Sequence, residues 1–423
     1  MNINIFILCI NQNNYLLDSI MYIVFAFFIY LIFICYFKFK YPFWSNQPIF
    51  RFHNIRYWLF PPGIIEHKAP KLGKFFDRQI ITKKYTQLST NEKEDIYQLT
   101  HSHYCRENKV IYNPSHDSIF KYLENHNSPV FCSLFYKKYP LIDITNKHNI
   151  LYPKLIATIT SRPLICFLDN TQITLNYVDY LCVHKKYRKQ GIAPKIIYTH
   201  QARIRNNSKN TIFLFKRESH ILPIVPLTTY YTYGFDVKYW KYKTKLPPQS
   251  QWFLINSQNI NIFYHIIKKI QKKFSCTIYP SISNVTTLIR KGLLIISILL
   301  EKDDPIACYI FRNPFTSYLE GELLNSEDKV SQTPLCNSID CICSFYEEGT
   351  NPELFLYFFY YSLFIIQQKT PFKYFLIENL SDNNLIILDI FKRYVPIIKS
   401  STAYYFYNFA YRPMLSNNLF LIN

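Results

Sequence analysis

The sequence predicts an α/β (α+β) protein built from two successive units of helices and sheet, set behind an apolar N-terminal segment. Three observations carry this expectation. Helix-period and strand-period segments alternate from Glu92 to Phe215 and again from Ile260 to Phe409, the pattern of sheets flanked by helices. A polar, Pro-rich break, Pro247-Pro248-Gln249-Ser250-Gln251, separates the two series. Ser19 to Phe37 is free of charge over nineteen residues, close to the ~20 that cross a bilayer as a helix. We therefore expect residues 1–40 to carry a transmembrane anchor over 19–37, residues 41–246 to form one half of the body, and residues 247–423 the other.

The flanks of the apolar run set its orientation. A cleaved signal peptide has Lys or Arg before the run and small residues after it. Here Asp18 precedes, and Lys38, Lys40, Arg51 and Arg56 follow. Cations on the C-terminal side predict a single pass with everything after Lys38 facing the cytosol.

The aromatic segment Tyr41-Pro-Phe43-Trp44-Ser-Asn-Gln47-Pro48 comes next, expected to be extended between its prolines. A helix is predicted from Glu92 to His103 and a short one around Phe120 to Leu123. Val130–Tyr136 and Leu155–Ile159 read as strands, rich in apolar and β-branched residues. Ile173–Val183 is the expected central strand, followed by a helix over Pro194–Arg205 and a strand over Thr211–Phe215. In the second series, helices are expected over Ile260–Phe274, Pro352–Gln368 and Asn384–Arg393. Strands are expected over Leu293–Leu300, Pro305–Phe311, Ile339–Phe345, Tyr374–Asn379 and Ala403–Phe409.

Composition limits the function classes. Of 423 residues, 49% are hydrophobic and 18% charged, which suits a packed globular body and not a disordered chain. The formal charge of +20 is scattered, with short clusters such as Lys268, Lys269, Lys272 and Lys273, and no nucleic-acid motif accompanies it. No nucleic-acid partner is expected. An anionic membrane face or a phosphate-bearing ligand fits such a surface better. The eleven cysteines lack paired CxxC spacing and no His follows at zinc-site distance, so reduced, mostly buried thiols and no metal are expected.

The most informative stretch joins the central strand to its helix: Asp179-Tyr180-Leu181-Cys182-Val183-His184-Lys185-Lys186-Tyr187-Arg188-Lys189-Gln190-Gly191-Ile192-Ala193-Pro194. An apolar strand runs into a basic, Gly-containing turn at a helix start, where backbone N–H groups and the helix dipole meet a phosphate. Arg188-x-x-Gly191-x-Ala193 is the spacing of a pyrophosphate loop in acyl-CoA-dependent N-acyltransferases. Together with Leu-Cys-Val-His-Lys-Lys and Ala-Pro it resembles the signature of the N-myristoyltransferases. Tyr41-x-Phe43-Trp44-x-x-Gln47-Pro48 is similar to the segment that lies over the acyl-CoA in that family, and Leu222-Pro223 to its turn beside the peptide groove. The resemblance runs from about Tyr41 to Asn423, strongest at the central signature.

This resemblance implies two tandem acetyltransferase-like halves related by a pseudo-twofold axis, behind the N-terminal transmembrane helix. It implies transfer of a myristoyl group from myristoyl-CoA, a co-substrate and not a prosthetic group, to the N-terminal glycine of peptides or proteins by a monomeric enzyme. The donor would be held by Tyr41, Phe43, Trp44, Leu181, Cys182, Val183, Arg188, Lys189, Gln190, Gly191, Ile192 and Ala193, with His184 and Lys185 also on the phosphate side. Main-chain amides of Tyr180 and Leu181 would form the oxyanion hole. The terminal carboxylate of Asn423, at the end of the apolar tail Leu419-Phe420-Leu421-Ile422, would be the base. The chain departs from the family in three places. Gly191 replaces an Arg, Arg217-Glu218-Ser219 stands for Thr-Ala-Gly, and the acidic run that reads a basic substrate residue is thinned to Tyr104-Cys105-Arg106-Glu107-Asn108. Another acyl-CoA N-acyltransferase, or a non-catalytic acyl-CoA or lipopeptide binder, remain the alternatives at this point.

Overall fold

The computed structural model describes residues 2–68, 70, 72–104, 110–142, 149–169, 171–219, 221–247, 251–319 and 335–423. Cys105 to Asn108 of the thinned acidic run, His220 beside the Leu-Pro turn, and Pro248, Gln249 and Ser250 of the break lie outside the described residues.

Nine α-helices occur among the described residues: α1 Asn2–Lys40, α2 Ile55–Leu59, α3 Thr90–His103, α4 His116–Lys121, α5 Ile192–Asn207, α6 Ile260–Lys273, α7 Ile282–Arg290, α8 Pro352–Lys369 and α9 Asn383–Phe391. The first ten strands are β1 Gly63–Ile64, β2 Ile81–Lys84, β3 Val110–Tyr112, β4 Phe131–Ile142, β5 Asn149–Leu168, β6 Thr171–Val183, β7 Phe213–Glu218, β8 Thr228–Asp236, β9 Gln251–Leu254 and β10 Cys276–Tyr279. The rest are β11 Leu294–Glu301, β12 Asp304–Arg312, β13 Thr316–Leu319, β14 Leu335–Tyr346, β15 Tyr374–Glu378, β16 Ile398–Tyr407, β17 Phe409–Ala410 and β18 Leu419–Leu421. Among the described residues sixteen strands share one sheet, whose main path runs β18-β10-β5-β6-β7-β16-β8-β15-β14-β12-β11-β9. The late strand β16 is wedged between the early strands β7 and β8, and β18 lies parallel to β10 at the far end.

Helices cover both faces, which is why the inner strands are apolar on both sides rather than alternating. Along β12, Ala307, Tyr309 and Phe311 pack on Phe355, Phe358 and Phe359 of α8, while Cys308 and Ile310 turn to Phe263, Ile266 and Ile270 of α6. The same division holds around β6. Tyr180 and Cys182 face Ile96 and Leu99 of α3, whereas Leu181 and Val183 sit with Ile192 and Ile196 of α5. The α3 start is fixed by a capping box in which Ser89 Oγ accepts from the Glu92 amide and the Glu92 carboxylate accepts from the Ser89 amide.

Helix α1 runs past both ends of the charge-free stretch. Its segment Ser19–Lys40 is apolar and long enough to cross a membrane, with a mean hydropathy of 2.6. The residues after it are not extended. Tyr41 to Gln47 close into a single tight turn, with the Ser45 amide donating to the Tyr41 carbonyl at 2.9 Å. Ser45 Oγ and Asn46 Nδ2 both donate to the Pro42 carbonyl, and these local bonds favour the turn over the extended chain the prolines suggested.

One buried histidine ties the layers together. His200 on α5, 1% exposed, sits between Ser133 Oγ at 2.8 Å and Ser161 Oγ at 2.9 Å. Burial holds its imidazole neutral and pushes its pKa down to about 3. An unfolded histidine protonates near 6.5, so this group's contribution is complete above pH ~6.5 and is lost as pH falls toward 3, by about 1.4 kcal/mol per pH unit. Denaturant titrations across this range should show that decline, and His200→Gln should flatten it.

Candidate functional site

The site grows from a defect in the central strand pair. The β5–β6 ladder matches Thr158 with Cys182 and Thr160 with Asp179, leaving Tyr180 and Leu181 together opposite Ile159. Tyr180 has φ +46°, a left-handed conformation that a bulky aromatic residue adopts only under constraint. A bulge of this kind bends the strand and lifts its amides out of the regular pairing.

Neighbouring residues hold the bulge from both sides. Before it, Arg162 Nε donates to Asp179 Oδ2 at 2.6 Å, and Thr160 Oγ1 donates to the Asp179 carbonyl at 3.2 Å. The Arg162 guanidinium is 1% exposed and lies against the rings of Tyr122 and Tyr177, at 5.4 and 5.2 Å. Burial pushes the Asp179 carboxyl up, with Arg162 pulling in the opposite direction. Within the bulge, the Tyr180 ring is buried, its hydroxyl accepts from Tyr112 at 3.4 Å, and its edge meets Tyr104.

Past the bulge the strand ends at Val183 and the basic turn begins. His184 Nδ1 accepts from the Lys186 amide, and Lys185–Tyr187 form one tight turn. Partial burial, then the charges of Lys154, Lys186 and Arg188, lower the His184 pKa, a sign that the local field is positive. Lys189 has φ +63° and Gly191 φ +74° as it caps α5 without a side-chain bond. No protein acceptor is found among the described residues for the amides of Gln190, Gly191, Ile192 and Ala193. Such consecutive unpaired amides at a helix N-terminus form an anion cradle.

The structure places the other expected donor-site residues around this loop. Phe43 packs on Tyr198 and Ala202 of α5, and Trp44 stacks on Phe215 with centroids 5.8 Å apart. Tyr41 lies against Phe37 at the end of α1. Lys185, Lys186, Lys189 and Gln190 are exposed. Arg188 is differently employed: its Nη2 donates to the His103 carbonyl at 2.6 Å and its Nε to the Val183 carbonyl, clasping the end of α3 to the loop. Cys182 is buried and its thiol donates to the Leu99 carbonyl.

Asn423 comes to the same sheet from the opposite end of the chain. It is 5% exposed; its Nδ2 donates to Tyr177 Oη at 2.6 Å and its Oδ1 accepts from Arg312 Nη1 at 3.0 Å. Tyr177 is two residues before Asp179 on β6, so the last residue meets the strand face that carries the Arg162–Asp179 pair.

A charge network, buried except for Glu218 at its exposed edge, surrounds that meeting point, and it was not singled out from the sequence. Arg312 donates to Asp340 at 2.9 Å and lies 3.5 Å from Glu378. Lys216 reaches both Glu378 and Glu218 at 2.9 Å, and Tyr230 Oη donates to Glu378. Burial works against the Lys216 charge, but Glu218 and Glu378 outweigh it and hold the ammonium well above the usual lysine range. Lys216, in turn, draws the Glu218 carboxyl down. Arg162 Nη1, Arg312 Nε and Asp340 Oδ1 are buried with no partner among the described residues. The available signal was a charged residue inside an otherwise apolar strand, as at Arg162, Asp340 and Glu378.

Comparison with known proteins finds similarity at two levels. Residues 77–213 match the model of the myristoyl-CoA:protein N-myristoyltransferase N-terminal domain, a span that holds the bulge, the basic loop and α5. Over this span the chain is similar to the N-myristoyltransferase family. No curated protein sequence matches it. The fold is that of N-myristoyltransferase structures. The Saccharomyces cerevisiae enzyme with bound myristoyl-CoA superposes with a TM-score of 0.65 at 14% identity, over 89% of this chain and 94% of the yeast one. A second structure of the yeast N-myristoyltransferase with myristoyl-CoA gives 0.66 at 13%, covering 89% and 90%. One with myristoyl-CoA and inhibitors gives 0.66 at 13%, covering 89% and 91%.

Proposed function

We propose that this chain is a membrane-anchored protein N-myristoyltransferase that moves a myristoyl group from myristoyl-CoA to the N-terminal glycine amine of peptides and proteins. The observation that carries the proposal is the bulge at Tyr180–Leu181 leading directly into the unpaired amides from Gln190 to Ala193. In this reading the amides near Gly191 and the flanking lysines hold the coenzyme phosphates, and Phe43 and Trp44 lie along the donor. Burial of a fourteen-carbon chain contributes on the order of 10 kcal/mol in gross terms at ~0.8 per methylene, so the acyl slot dominates donor choice.

The amides of Tyr180 and Leu181 would polarise the thioester carbonyl and receive the charge of the tetrahedral intermediate. The terminal carboxylate of Asn423 would take a proton from the glycine ammonium, freeing its lone pair for attack; coenzyme A leaves as the thiol. Supporting this is the placement of Asn423 against Tyr177 beside the bulge. The reading assigns 41–246 to the donor half and 247–423 to the half that supplies the peptide groove, with α1 as a single-pass anchor and the monomeric body in the cytosol.

Mass spectrometry of a Gly-initiated peptide incubated with myristoyl-CoA and the purified chain tests the proposal. A mass gain of one myristoyl group is the expected result. An unchanged peptide, with acyl-CoA still bound, would assign the protein to the non-catalytic binders.

Gly191 tests the cradle separately. A Cβ built there meets nothing within 4 Å, so space does not require glycine; the φ of +74° does. Gly191→Val should cost about 1–2 kcal/mol of local strain and weaken myristoyl-CoA binding in a direct titration. Unchanged affinity would remove this loop from the donor site.

A further inference from the structure

We propose that the segment from Phe52 to Phe60 is a membrane collar, dipping into the interface of an anionic leaflet beside the anchor. The proposal rests on the anchor reading of α1 and adds a second, separate lipid contact. Its basis is how α1 meets the body. Tyr30 Oη donates to the His53 carbonyl at 2.9 Å, and the rings of Phe33 and Phe37 pack on His53 at 6.0 and 5.4 Å. At 1.5 Å per residue, Tyr30 lies roughly 15 Å along the axis from Lys40. The loop that carries His53 therefore flanks the C-terminal half of the apolar segment Ser19–Lys40 instead of standing beyond its end.

What that loop shows to solvent is apolar. Phe52, Ile55, Leu59 and Phe60 are 48%, 59%, 59% and 74% exposed, all within nine residues that include α2. The backbone beneath them is well tied: Trp58 Nε1 donates to the Phe52 carbonyl, its ring packs on Phe50, and Arg412 Nη2 donates to the Leu59 carbonyl. Exposed Lys38, Lys40, Arg56 and Arg412 accompany the patch. Apolar side chains at the depth of a helix end, with cations among them, suit the boundary between acyl chains and anionic headgroups. Continuity with α1 and this charge pattern select a lipid surface over a second copy of the chain.

The test uses the full chain in vesicles of phosphatidylcholine and phosphatidylserine. An environment-sensitive fluorescent residue replaces Phe60, and a control carries it at the exposed Tyr239. A blue-shifted emission at position 60, quenched by lipids with a nitroxide near the headgroup and protected from aqueous iodide, is the expected result. Iodide quenching equal to that of the control would overturn the collar, and protection from both quenchers would overturn it in favour of a protein contact. Alkaline extraction reports on the anchor independently. A chain that stays in the pellet with position 60 open to iodide keeps the anchor and loses the collar. A chain that is extracted, but whose position 60 is quenched by lipid before extraction, keeps the collar and loses the anchor.

Discussion

Adding residues after Asn423 is expected to abolish acyl transfer while leaving myristoyl-CoA binding intact. The last residues are buried: β18 pairs with β10, the Ile422 amide donates to the Ile278 carbonyl at 2.8 Å, and the Asn423 side chain is gripped by Tyr177 and Arg312. An appended segment converts the terminal carboxylate into a neutral amide and has to thread out past this packing. Loss of a positioned general base costs on the order of 10²–10⁴-fold in rate. The loop around Gly191, the proposed donor site, is built from other elements, so a binding titration with myristoyl-CoA should change little. Equal turnover by the extended and original chains would remove the carboxylate from the mechanism.

Breaking the Arg162–Asp179 pair should produce the second large effect, on both stability and rate. Arg162 is almost fully enclosed, with Asp179 as its charged partner in the ion pair. Asp179→Asn keeps the shape but leaves a buried guanidinium without a counter-ion, a loss of about 3–5 kcal/mol. Replacing both residues, as in Arg162→Met with Asp179→Asn, should recover much of that stability, because no uncompensated charge remains. Rate should not recover with it. Asp179 immediately precedes the bulge, and in the proposed reaction freeing its side chain would let the next two amides drift from the reacting carbonyl. Loss of one oxyanion donor lowers kcat by roughly 10²–10³-fold with little change in KM. A double variant with restored stability and full kcat would show that the pair serves folding alone.

Much of this site was legible as local pattern. The passage from strand to basic turn to helix was readable because each step has its own chemistry: apolar alternation, a glycine, and a proline in the first turn of α5. Helices α3, α6 and α8 fall within a few residues of their expected bounds, since their periodicity and caps are local. The unseen parts depend on distant partners. Strands β8, β10 and β18 were not anticipated as ladder members, because three to nine residues gain strand character only from neighbours far away in sequence. The bulge has no composition signal, as it arises from a two-for-one register between β5 and β6. The network of Lys216, Arg312, Asp340 and Glu378 draws on four strands, and although Asp340 and Glu378 stand out as charges in apolar strands, nothing local names their partners. Arg188 was expected on the phosphate side by position, whereas the fold uses its guanidinium to hold the end of α3.

The place of β16 has a consequence for how the protein is made. Strands β7 and β8 emerge from the ribosome long before residues 398–407, yet each needs that late strand as a neighbour. During synthesis both therefore wait with bare hydrogen-bonding edges, the condition that invites mispairing. The sheet closes there only after residues 398–407 have been released. Any nonsense change upstream of residue 398 leaves those two rims open for good, and its product should aggregate rather than persist as a folded half.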